Sequence, residues 1–261
     1  MEATRRDGSV DGQIETARNI QQVGAACRRA AETLGYRYFQ FGFRVPVSLT
    51  RPCQIVLSGY PQEWRTWYDD CGYLTIDPVV QRALGSVLPF GWDELALETP
   101  EAQRLFAEAA RYGLAHGFSV PVHGAHGESA LFSFARGEAL PAGAVRAEQF
   151  RHAHWLTALI HERLRTLVYE GEGIGRLHRR LTRRERQCLQ LAAEGLSATA
   201  IGRGMKISEH TVNFHLVNAE AKLGARSRRH AVARAVALGE IEPGCYPPQL
   251  RQSQELVDLR V

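Results

Sequence analysis

Residues 181–223 run LTRRERQCLQLAAEGLSATAIGRGMKISEHTVNFHLVNAEAKL and decide how the carboxyl-terminal part of the chain folds. Thr182 and Glu185 have the S/T-x-x-E spacing of a capping box, in which the two side chains satisfy free amide groups at a helix start. An amphipathic helix follows and ends at the first glycine. Ser197 and Ser208 are placed to cap two further helices. Two short helices and a turn before a third helix predict a helix-turn-helix unit, the layout in which the later helix enters a major groove.

Positive charge is concentrated in the same region. Residues 176–230 contain twelve Lys or Arg and four Asp or Glu, a net charge of +8, whereas the whole chain carries +4, so the remainder is net acidic. This segregation predicts a module that binds a polyanion beside a neutral or mildly acidic one. A solvated basic face on an ordinary helical domain would explain the charge, but it would not explain three capped helices at this spacing.

The composition predicts a two-domain globular protein. A length of 261 residues is enough for two domains with their own cores, and 44% hydrophobic with 23% charged residues is typical of soluble proteins. No apolar run is long enough to cross a bilayer, and residues 1–11 lack a signal-peptide core. The five cysteines show no metal-like pairing and indicate reduced thiols. We therefore expect a cytoplasmic protein without membrane association.

The amino-terminal part of the chain alternates helical and strand patterns. Apolar residues at helical spacing predict two helices. Alternating or continuous apolar runs predict four strands, the last two joined as a β-hairpin by a turn with Gly124 and Gly127. The predicted helices cover residues 14–34 and 101–114, and the predicted strands cover residues 38–45, 54–57, 118–122 and 129–134.

A long helix is predicted over residues 145–169. Its apolar stripe repeats every 3.5 residues or so, and therefore suits either the core of its own domain or the contact with a second copy of the chain. The stripe consists of Phe150, Ala153, Leu156, Ile160, Leu164 and Leu167. Residues 170–180 are glycine-rich, lack apolar periodicity and form the expected linker. The expected organisation is a first domain over residues 1–169, this linker, a helix-turn-helix domain over 181–241 and a tail over 242–261.

The carboxyl-terminal sequence resembles the DNA-binding domain of LuxR-type transcription regulators. The matching residues, at fixed spacing without a gap, are Leu181, Thr182, Arg184, Glu185, Leu189, Gly195, Ile201, Ile207, Ser208, Glu209, Thr211, Val212, His215, Lys222, Leu223, Ser227 and Arg228. One departure is Gly202, where the family usually has alanine, with Gly204 close behind. Glycine is up to about 1 kcal/mol less favourable than alanine inside a helix, so we expect the second helix to be short or frayed.

The middle of the chain resembles the signal-binding domain of LuxR-type quorum-sensing receptors. The residues that carry this resemblance are Tyr60, Trp64, Tyr68, Asp77, Pro78, Trp92, Gly113, Gly117, Pro121 and Gly127. Together the two resemblances cover roughly residues 10–240. They imply an α+β protein, with an amino-terminal α/β/α sandwich of helices on both faces of an antiparallel sheet and a carboxyl-terminal all-α helix-turn-helix domain. In that family the sandwich closes over an N-acyl-homoserine lactone.

The resemblance also implies roles for individual pocket residues. Trp64 corresponds to the donor to the lactone carbonyl, Asp77 to the acceptor from the ligand amide, Tyr60 and Ser133 to partners of the acyl carbonyl, and Tyr68 and Trp92 to pocket walls. The chemistry is sensible by itself, because a buried ligand with one amide N–H and two carbonyls needs one strong acceptor and several donors.

Each of these residues also has an ordinary structural interpretation. Trp64 and Tyr68 are four residues apart, so they could be an aromatic pair facing a helix core, and Asp77 before Pro78 could cap a turn. The set as a whole, joined to a DNA-binding domain, favours a ligand. Val79 is apolar where some relatives carry a hydroxyl, which removes a polar contact to an oxidised acyl chain. Because Trp64 and Tyr68 are intact, a lactone is favoured over a plant compound.

The third helix of the helix-turn-helix unit is the expected DNA reader. Asn213, Phe214 and Val217 occupy positions that face base edges, and Asn213 suits either adenine or phosphate. The remaining expected DNA contacts are Ser208, Thr211, Lys222 and Arg228, the last three to backbone phosphates. The resemblance implies double-stranded promoter DNA, an acyl-homoserine lactone and a second copy of the chain as partners, with RNA polymerase as a further candidate.

Other classes of protein fit the sequence less well. An enzyme is disfavoured because His152 and His154 project about 200° apart on a helix and do not share a metal easily, and because Walker A and G-x-S-x-G motifs are missing. A phosphorylated response regulator would begin with a parallel α/β receiver, whereas this chain begins with a helix and offers a hairpin. A regulator of this type that answers to another small molecule, or that acts without ligand, stays open. No cofactor and no metal are expected.

Overall fold

A computed structural model describes residues 9–45, 53–124, 127–170 and 181–241. These residues form two compact units, one ending at residue 170 and one beginning at residue 181. Of the expected linker, residues 171–180 lie outside the described residues, and so does the expected tail over residues 242–261.

The first unit combines helices with an antiparallel sheet. Its elements are α1 (Val10–Thr16), α2 (Ile20–Thr33), β1 (Tyr38–Val45), β2 (Cys53–Ser58), α3 (Gln62–Asp70), α4 (Pro78–Leu84), β3 (Phe90–Gly91), α5 (Pro100–Arg111), β4 (His116–His123), β5 (Ser129–Arg136) and α6 (Gly143–Glu170). Short 3-10 helices cover Tyr73–Thr75 and Trp92–Glu94. The strand order in the sheet is β2-β1-β5-β4-β3, and every neighbouring pair is antiparallel.

Helices cover both faces of this sheet. Phe39, Phe41 and Phe43 alternate along β1 and are buried on the face against which α2 and α6 pack. On the opposite face, α3 and α5 place Trp64 and Leu105 in one apolar cluster with strand residues, and α4 contacts β4. Period-two alternation along each strand thus separates two layers of core. This arrangement confirms the α/β/α sandwich with an antiparallel sheet.

The amino-terminal helical stripe forms two helices, not the single helix predicted over residues 14–34. The break falls at Asn19, whose side chain accepts from the Gln22 amide at 2.9 Å and caps α2. In return, Gln22 Oε1 accepts from the Arg18 amide. Asn19 and Gln22 therefore form a local cap that outweighs the continuous apolar pattern.

The apolar stripe of α6 belongs to the core of its own unit. Ala153, Leu156, Ile160 and Leu164 are all 0% exposed, and the helix packs on α1, α2, β4 and β5. Phe150 stacks on Phe118 of β4 with ring centroids 4.8 Å apart. Of the two alternatives for the stripe, packing within its own domain is what the structure shows. The alternative, contact with a second copy, is wrong for these four residues, because none of them is exposed on the surface of the unit.

The second unit is built from helices α7 (Arg183–Ala193), α8 (Ala198–Met205), α9 (Glu209–Lys222) and α10 (Arg228–Ala237). The sequence predicts three of them, and α10 adds a fourth that closes the core with Ala231 and Ala235. The capping box is confirmed, because Thr182 Oγ1 accepts from the Glu185 amide and Glu185 Oε2 accepts from the Thr182 amide. Ser197 and Ser208 cap α8 and α9 as predicted.

Helix α8 spans eight residues. At position 202 the packing of the following turn leaves no room for a side chain. A Cβ at Gly202 would lie 2.8 Å from the Ile207 carbonyl oxygen, closer than real Cβ atoms approach. The missing side chain lets the turn after α8 lie directly on the helix, where the Ile207 amide donates to the Gly202 carbonyl at 3.0 Å. The expectation of a short helix is confirmed, since α8 is shorter than α7, α9 and α10. The glycine itself is required by the close approach of the turn.

Among the residues that the structure describes, no helix combines the length and apolar character that a bilayer span requires.

Candidate functional site

Helix α3 places an aromatic cluster on the sheet face opposite α6. Trp64 and Tyr68 lie one turn apart with ring centroids separated by 5.9 Å, and Trp64 also lies 5.3 Å from Trp67 and 5.9 Å from Tyr112. Trp64 is buried, yet its indole N–H makes no hydrogen bond to a residue within the described ranges. The expected aromatic pair is present, and the indole N–H of Trp64 is available as a hydrogen-bond donor.

Asp77 is the acceptor in this cluster. The Tyr68 hydroxyl donates to Asp77 Oδ2 at 2.9 Å, and the Val79 amide donates to Asp77 Oδ1 at 2.8 Å. The second bond caps α4, so the predicted turn-capping role is real. A carboxylate offers about four lone-pair sites, and the cap therefore leaves capacity for a further donor. Burial raises the pKa of Asp77, and these hydrogen bonds offset that rise only in part.

A second polar group connects Trp92 to the sheet. The Trp92 indole donates to Ser119 Oγ at 2.9 Å, and Ser119 Oγ lies 2.8 Å from Ser133 Oγ. Gly117 makes room for this indole, since a Cβ there would lie 2.7 Å from Trp92 Cε3. Because Ser119 is 0% exposed, its single proton needs an acceptor, and Ser133 is the acceptor at hand. The Ser133 proton is then free to point away from Ser119.

Tyr60 joins the two polar groups. Burial raises the pKa of Tyr60, the charge of Asp77 raises it further, and the Ser133 hydroxyl acts in the opposite direction. The phenol therefore lies within interaction range of both Asp77 and Ser133. Burial raises the pKa of Tyr68 as well, again with Asp77 beside it. Both phenols stay protonated at neutral pH and serve as hydrogen-bond donors.

The six predicted pocket residues thus come together on one face of the sheet. Trp64, Tyr68 and Asp77 form one half, Trp92 and Ser133 form the other, and Tyr60 stands between them. Sequence reasoning missed Ser119, which holds Trp92 and Ser133 together. The alternation along β4 could have revealed Ser119. It lies between the buried Phe118 and Val120, so its side chain points to the face of the sheet opposite theirs, where the pocket residues lie.

The resulting surface has one strong acceptor and several donors among aromatic rings. This combination suits a small ligand that carries one N–H group and more than one carbonyl oxygen. Among the residues that the structure describes, no group of three or more His, Cys, Asp or Glu side chains is arranged to hold a metal ion.

In the second unit, α9 presents an apolar exposed surface. Phe214 is 59% exposed and Val217 is 62% exposed, whereas Val212 and Leu216 are 0% exposed. Asn213 is half-buried beside them. Large apolar side chains this exposed on a basic unit suit contact with base edges, such as the methyl group of thymine.

Two of the predicted DNA contacts have partners within the unit. Ser208 Oγ accepts from the Thr211 amide at 3.0 Å and lies 2.8 Å from Thr211 Oγ1, so both hydroxyls belong to the cap of α9. They remain close to the surface, where a capped helix start also suits phosphate binding.

Lys222 has a role that its sequence position did not suggest. Its Nζ donates to Glu185 Oε2 at 2.7 Å, so the ammonium ties the end of α9 to the start of α7. Burial alone would raise the pKa of Glu185, but hydrogen bonds from Lys222 and Thr182 outweigh it, and the pKa lies below its ordinary value. The ammonium of Lys222 is thus paired within the unit, while its side chain stays 25% exposed. The phosphate contact of Lys222 stays a prediction.

Family comparisons agree with this geometry. Residues 19–164 match the family described as "Autoinducer binding domain", and residues 179–235 match the family described as "Bacterial regulatory proteins, luxR family". The chain is 34% identical over 211 residues to the transcriptional activator protein VanR of Vibrio anguillarum, a match that covers 80% of this chain and 87% of that protein. It is 31% identical over 234 residues to the transcriptional activator protein LuxR of Aliivibrio fischeri, covering 87% and 91%.

Solved structures show the same architecture. A crystal structure of Escherichia coli SdiA matches with a TM-score of 0.72 and 27% identity, covering 88% of this chain and 95% of that one. A structure described as SdiA in complex with octanoyl-rac-glycerol matches with a TM-score of 0.72 and 25% identity, covering 91% and 96%. These relatives are transcription regulators and not enzymes. The chain therefore belongs to the LuxR family of autoinducer-binding bacterial transcription regulators.

Proposed function

We propose that the protein binds an N-acyl-homoserine lactone on the sheet face lined by α3 and, as a dimer, binds a palindromic promoter element. The observation that carries the ligand proposal is the partly buried carboxylate of Asp77 among donors. It accepts from Tyr68 and Val79, and the phenol of Tyr60 and the hydroxyl of Ser133 lie nearby. A ligand amide N–H supplies a donor to Asp77, while its carbonyl oxygens accept from the remaining groups.

Each pocket residue then has a defined role. Trp64 donates its free indole N–H to the lactone carbonyl, and Asp77 accepts from the ligand amide. Tyr60 and Ser133 donate to the acyl carbonyl. Tyr68 and Trp92 form walls of the pocket, and their hydrogen bonds also fix their neighbours. Tyr68 holds the Asp77 carboxylate, and Trp92 holds Ser133 through Ser119.

An acylglycerol is a second candidate ligand, favoured by the solved SdiA complex with octanoyl-rac-glycerol. Its hydroxyl groups could donate to Asp77 in place of an amide. The lactone is the better match, because it carries two carbonyl acceptors for the three donors Trp64, Tyr60 and Ser133, whereas a monoacylglycerol carries one carbonyl. Buried donors that a ligand leaves without partners weaken its binding.

The DNA proposal rests on the second unit. Asn213, Phe214 and Val217 face base edges, and Ser208, Thr211 and Arg228 lie at the rim of the same surface, in reach of backbone phosphates. Two copies of the unit bind two half-sites one helical turn or a multiple apart, as in other helix-turn-helix dimers. The dimer contact involves surface other than the buried α6 stripe. We propose domain boundaries at residues 1–169, 181–241 and 242–261, with residues 170–180 as the linker, and a cytoplasmic location.

The ligand proposal can be tested by mass spectrometry. Full-length protein is produced in cells supplied with equal amounts of acyl-homoserine lactones and monoacylglycerols, purified, and extracted with organic solvent. The expected result is a lactone in the extract of the wild-type protein and much less of it in the extract of Asp77→Ala. Recovery of acylglycerol alone would show that the ligand is the second candidate and not a lactone. Equal recovery of lactone from both proteins would contradict the role of Asp77.

A further inference from the structure

Four polar side chains form a line across the pocket face of the sheet. Ser58 is paired with Gln40, Gln40 with Ser133, and Ser133 with Ser119 in the registers of neighbouring antiparallel strands. Residues directly opposite one another in an antiparallel pair point to the same face. We call Ser58, Gln40, Ser133 and Ser119 the polar row. Because Ser133 lies beside Tyr60, the polar row faces the proposed ligand.

Hydrogen bonds fix the orientation of the Gln40 amide. Ser58 Oγ accepts from the Tyr60 amide at 3.2 Å, and its own proton is donated to Gln40 Oε1 at 2.9 Å. The oxygen of the Gln40 amide is therefore engaged, and its Nε2 points the other way. Gln40 Nε2 makes no hydrogen bond to any residue that the structure describes. Gln40 is partly buried, so its Nε2 is available as a donor to a group bound on this face.

Gln40 and Ser133 are close neighbours on this face. Side chains directly opposite each other in an antiparallel pair have Cβ atoms about 4.5–5.5 Å apart. Ser133 is the proposed partner of the acyl carbonyl, so the Gln40 donor faces the acyl chain only a short distance beyond that carbonyl. An oxygen on the third acyl carbon is the nearest acceptor that a substituted chain can offer at that distance.

Building on the proposed function, we propose that Gln40 determines specificity. Its Nε2 donates a hydrogen bond to a 3-oxo or 3-hydroxy oxygen of the acyl chain, so the protein prefers an oxidised acyl-homoserine lactone over the unsubstituted one. The donor to this oxygen therefore lies on strand β1. Helix α4 does not supply one from Val79, because the Val79 side chain is apolar and its backbone amide already donates to Asp77. Ser58 acts as a positioning residue, because it holds the amide with its nitrogen toward the ligand.

The test compares matched ligands. Dissociation constants of hexanoyl-, octanoyl- and decanoyl-homoserine lactone and of their 3-oxo counterparts are measured by calorimetry with the full-length protein. The wild type is expected to prefer the 3-oxo member of the best-binding pair by roughly 2- to 12-fold, the range for one neutral hydrogen bond. Gln40→Leu is expected to abolish this preference. Gln54→Leu is the matched control, since Gln54 is exposed on strand β2, and it should keep the wild-type ratio.

Three further variants separate positioning from folding. Gln40→Glu has the same shape but no amide donor, so it should also lose the preference, even if Gln40→Leu does not fold. Ser58→Ala should reduce the ratio, and Ser58→Thr, which keeps a hydroxyl, should restore it. A wild type without preference, or a Gln40 variant that retains it, would overturn the role of Gln40 while lactone binding still stands. If no lactone binds the wild type, the proposed function fails, and this inference fails with it.

Discussion

The Arg228 guanidinium donates a hydrogen bond to Asn213 Oδ1 at 3.1 Å. Arg228 is the first residue of α10, and Asn213 lies on α9, the helix proposed to read DNA bases. The sequence predicts separate roles, base contact for Asn213 and phosphate contact for Arg228. The hydrogen bond couples them, because an amide whose oxygen is held by Arg228 presents its NH2 group outward. Asn213 in this orientation donates to acceptors such as guanine O6 or thymine O4.

This coupling predicts related DNA phenotypes. Asn213→Ala should cost about 1–3 kcal/mol at one base position and leave binding to random DNA unchanged. Arg228→Ala should weaken binding on all sequences, flatten the salt dependence and also relax the preference at that same position, because the amide is no longer held. Binding to a panel of single base-pair variants at several salt concentrations measures both effects. Arg228→Lys keeps the charge and serves as the control. Specificity that Arg228→Ala leaves intact would refute the coupling.

Substitutions in the buried stripe of α6 should lower the stability of the first unit and not simply prevent dimerisation. Ile160→Ala and Leu164→Ala remove side chains that are 0% exposed, and each should destabilise the first unit by about 2–5 kcal/mol. Val145→Ala, on the same helix but 60% exposed, should change stability by no more than about 0.5 kcal/mol. Chemical denaturation followed by circular dichroism gives these values. If these variants were monomeric but of normal stability, the stripe would have to form the contact between two copies.

Glu185 makes the stability of the second unit sensitive to acid. Its folded-state pKa is lowered by Lys222 and Thr182 against the effect of burial. The ion pair therefore contributes fully at pH values above the ordinary value of 4.5 and is lost as the pH falls through the lowered folded value. At neutral pH, Glu185→Gln should cost about 1.5–3 kcal/mol.

The measurement compares the unfolding transitions of wild-type protein and Glu185→Gln across acidic and neutral buffers. The difference between them should shrink as the pH falls. A difference that is independent of pH would show that the charge of Glu185 has no part in holding α7 to α9.

Gly202 reverses the usual effect of a glycine replacement. Alanine in a helix interior is normally up to about 1 kcal/mol more favourable than glycine. Here a Cβ would lie 2.8 Å from the Ile207 carbonyl oxygen, so Gly202→Ala should destabilise the second unit, since the backbone of the turn must move. Thermal unfolding decides the sign. A higher transition temperature would mean that the turn accommodates the methyl group.

Local patterns account for most of what the sequence predicts correctly. The caps at Thr182, Ser197 and Ser208 depend on residues three positions apart, and these follow directly from spacing. The cap at Asn19 has the same kind of signal, but the apolar stripe continues across it and favours a single helix, so the break is not predicted. Strand β1 is predicted with its observed ends, because Phe39, Phe41 and Phe43 alternate along it.

Contacts between distant segments do not follow from local sequence patterns. The polar row depends on the registers of β2, β1, β5 and β4, and a shift of one residue would turn Gln40 to the other face. Ser119 has an ordinary sequence context, and only its bonds to Trp92 and Ser133 reveal its role. The pair formed by Lys222 and Glu185 likewise joins two helices whose packing the periodicity alone does not define.

The most direct test of the central claim is calorimetric titration of acyl-homoserine lactone into the wild type and Asp77→Ala. A hydrogen bond to a charged group contributes about 1.5–3 kcal/mol, so Asp77→Ala should weaken lactone binding roughly 10- to 150-fold. Asp70→Ala is the matched control, because Asp70 is exposed at the end of α3. The lactone affinity of this variant should equal that of the wild type. Circular dichroism confirms that both variants fold. Unchanged lactone affinity in a folded Asp77→Ala protein would contradict the proposed pocket.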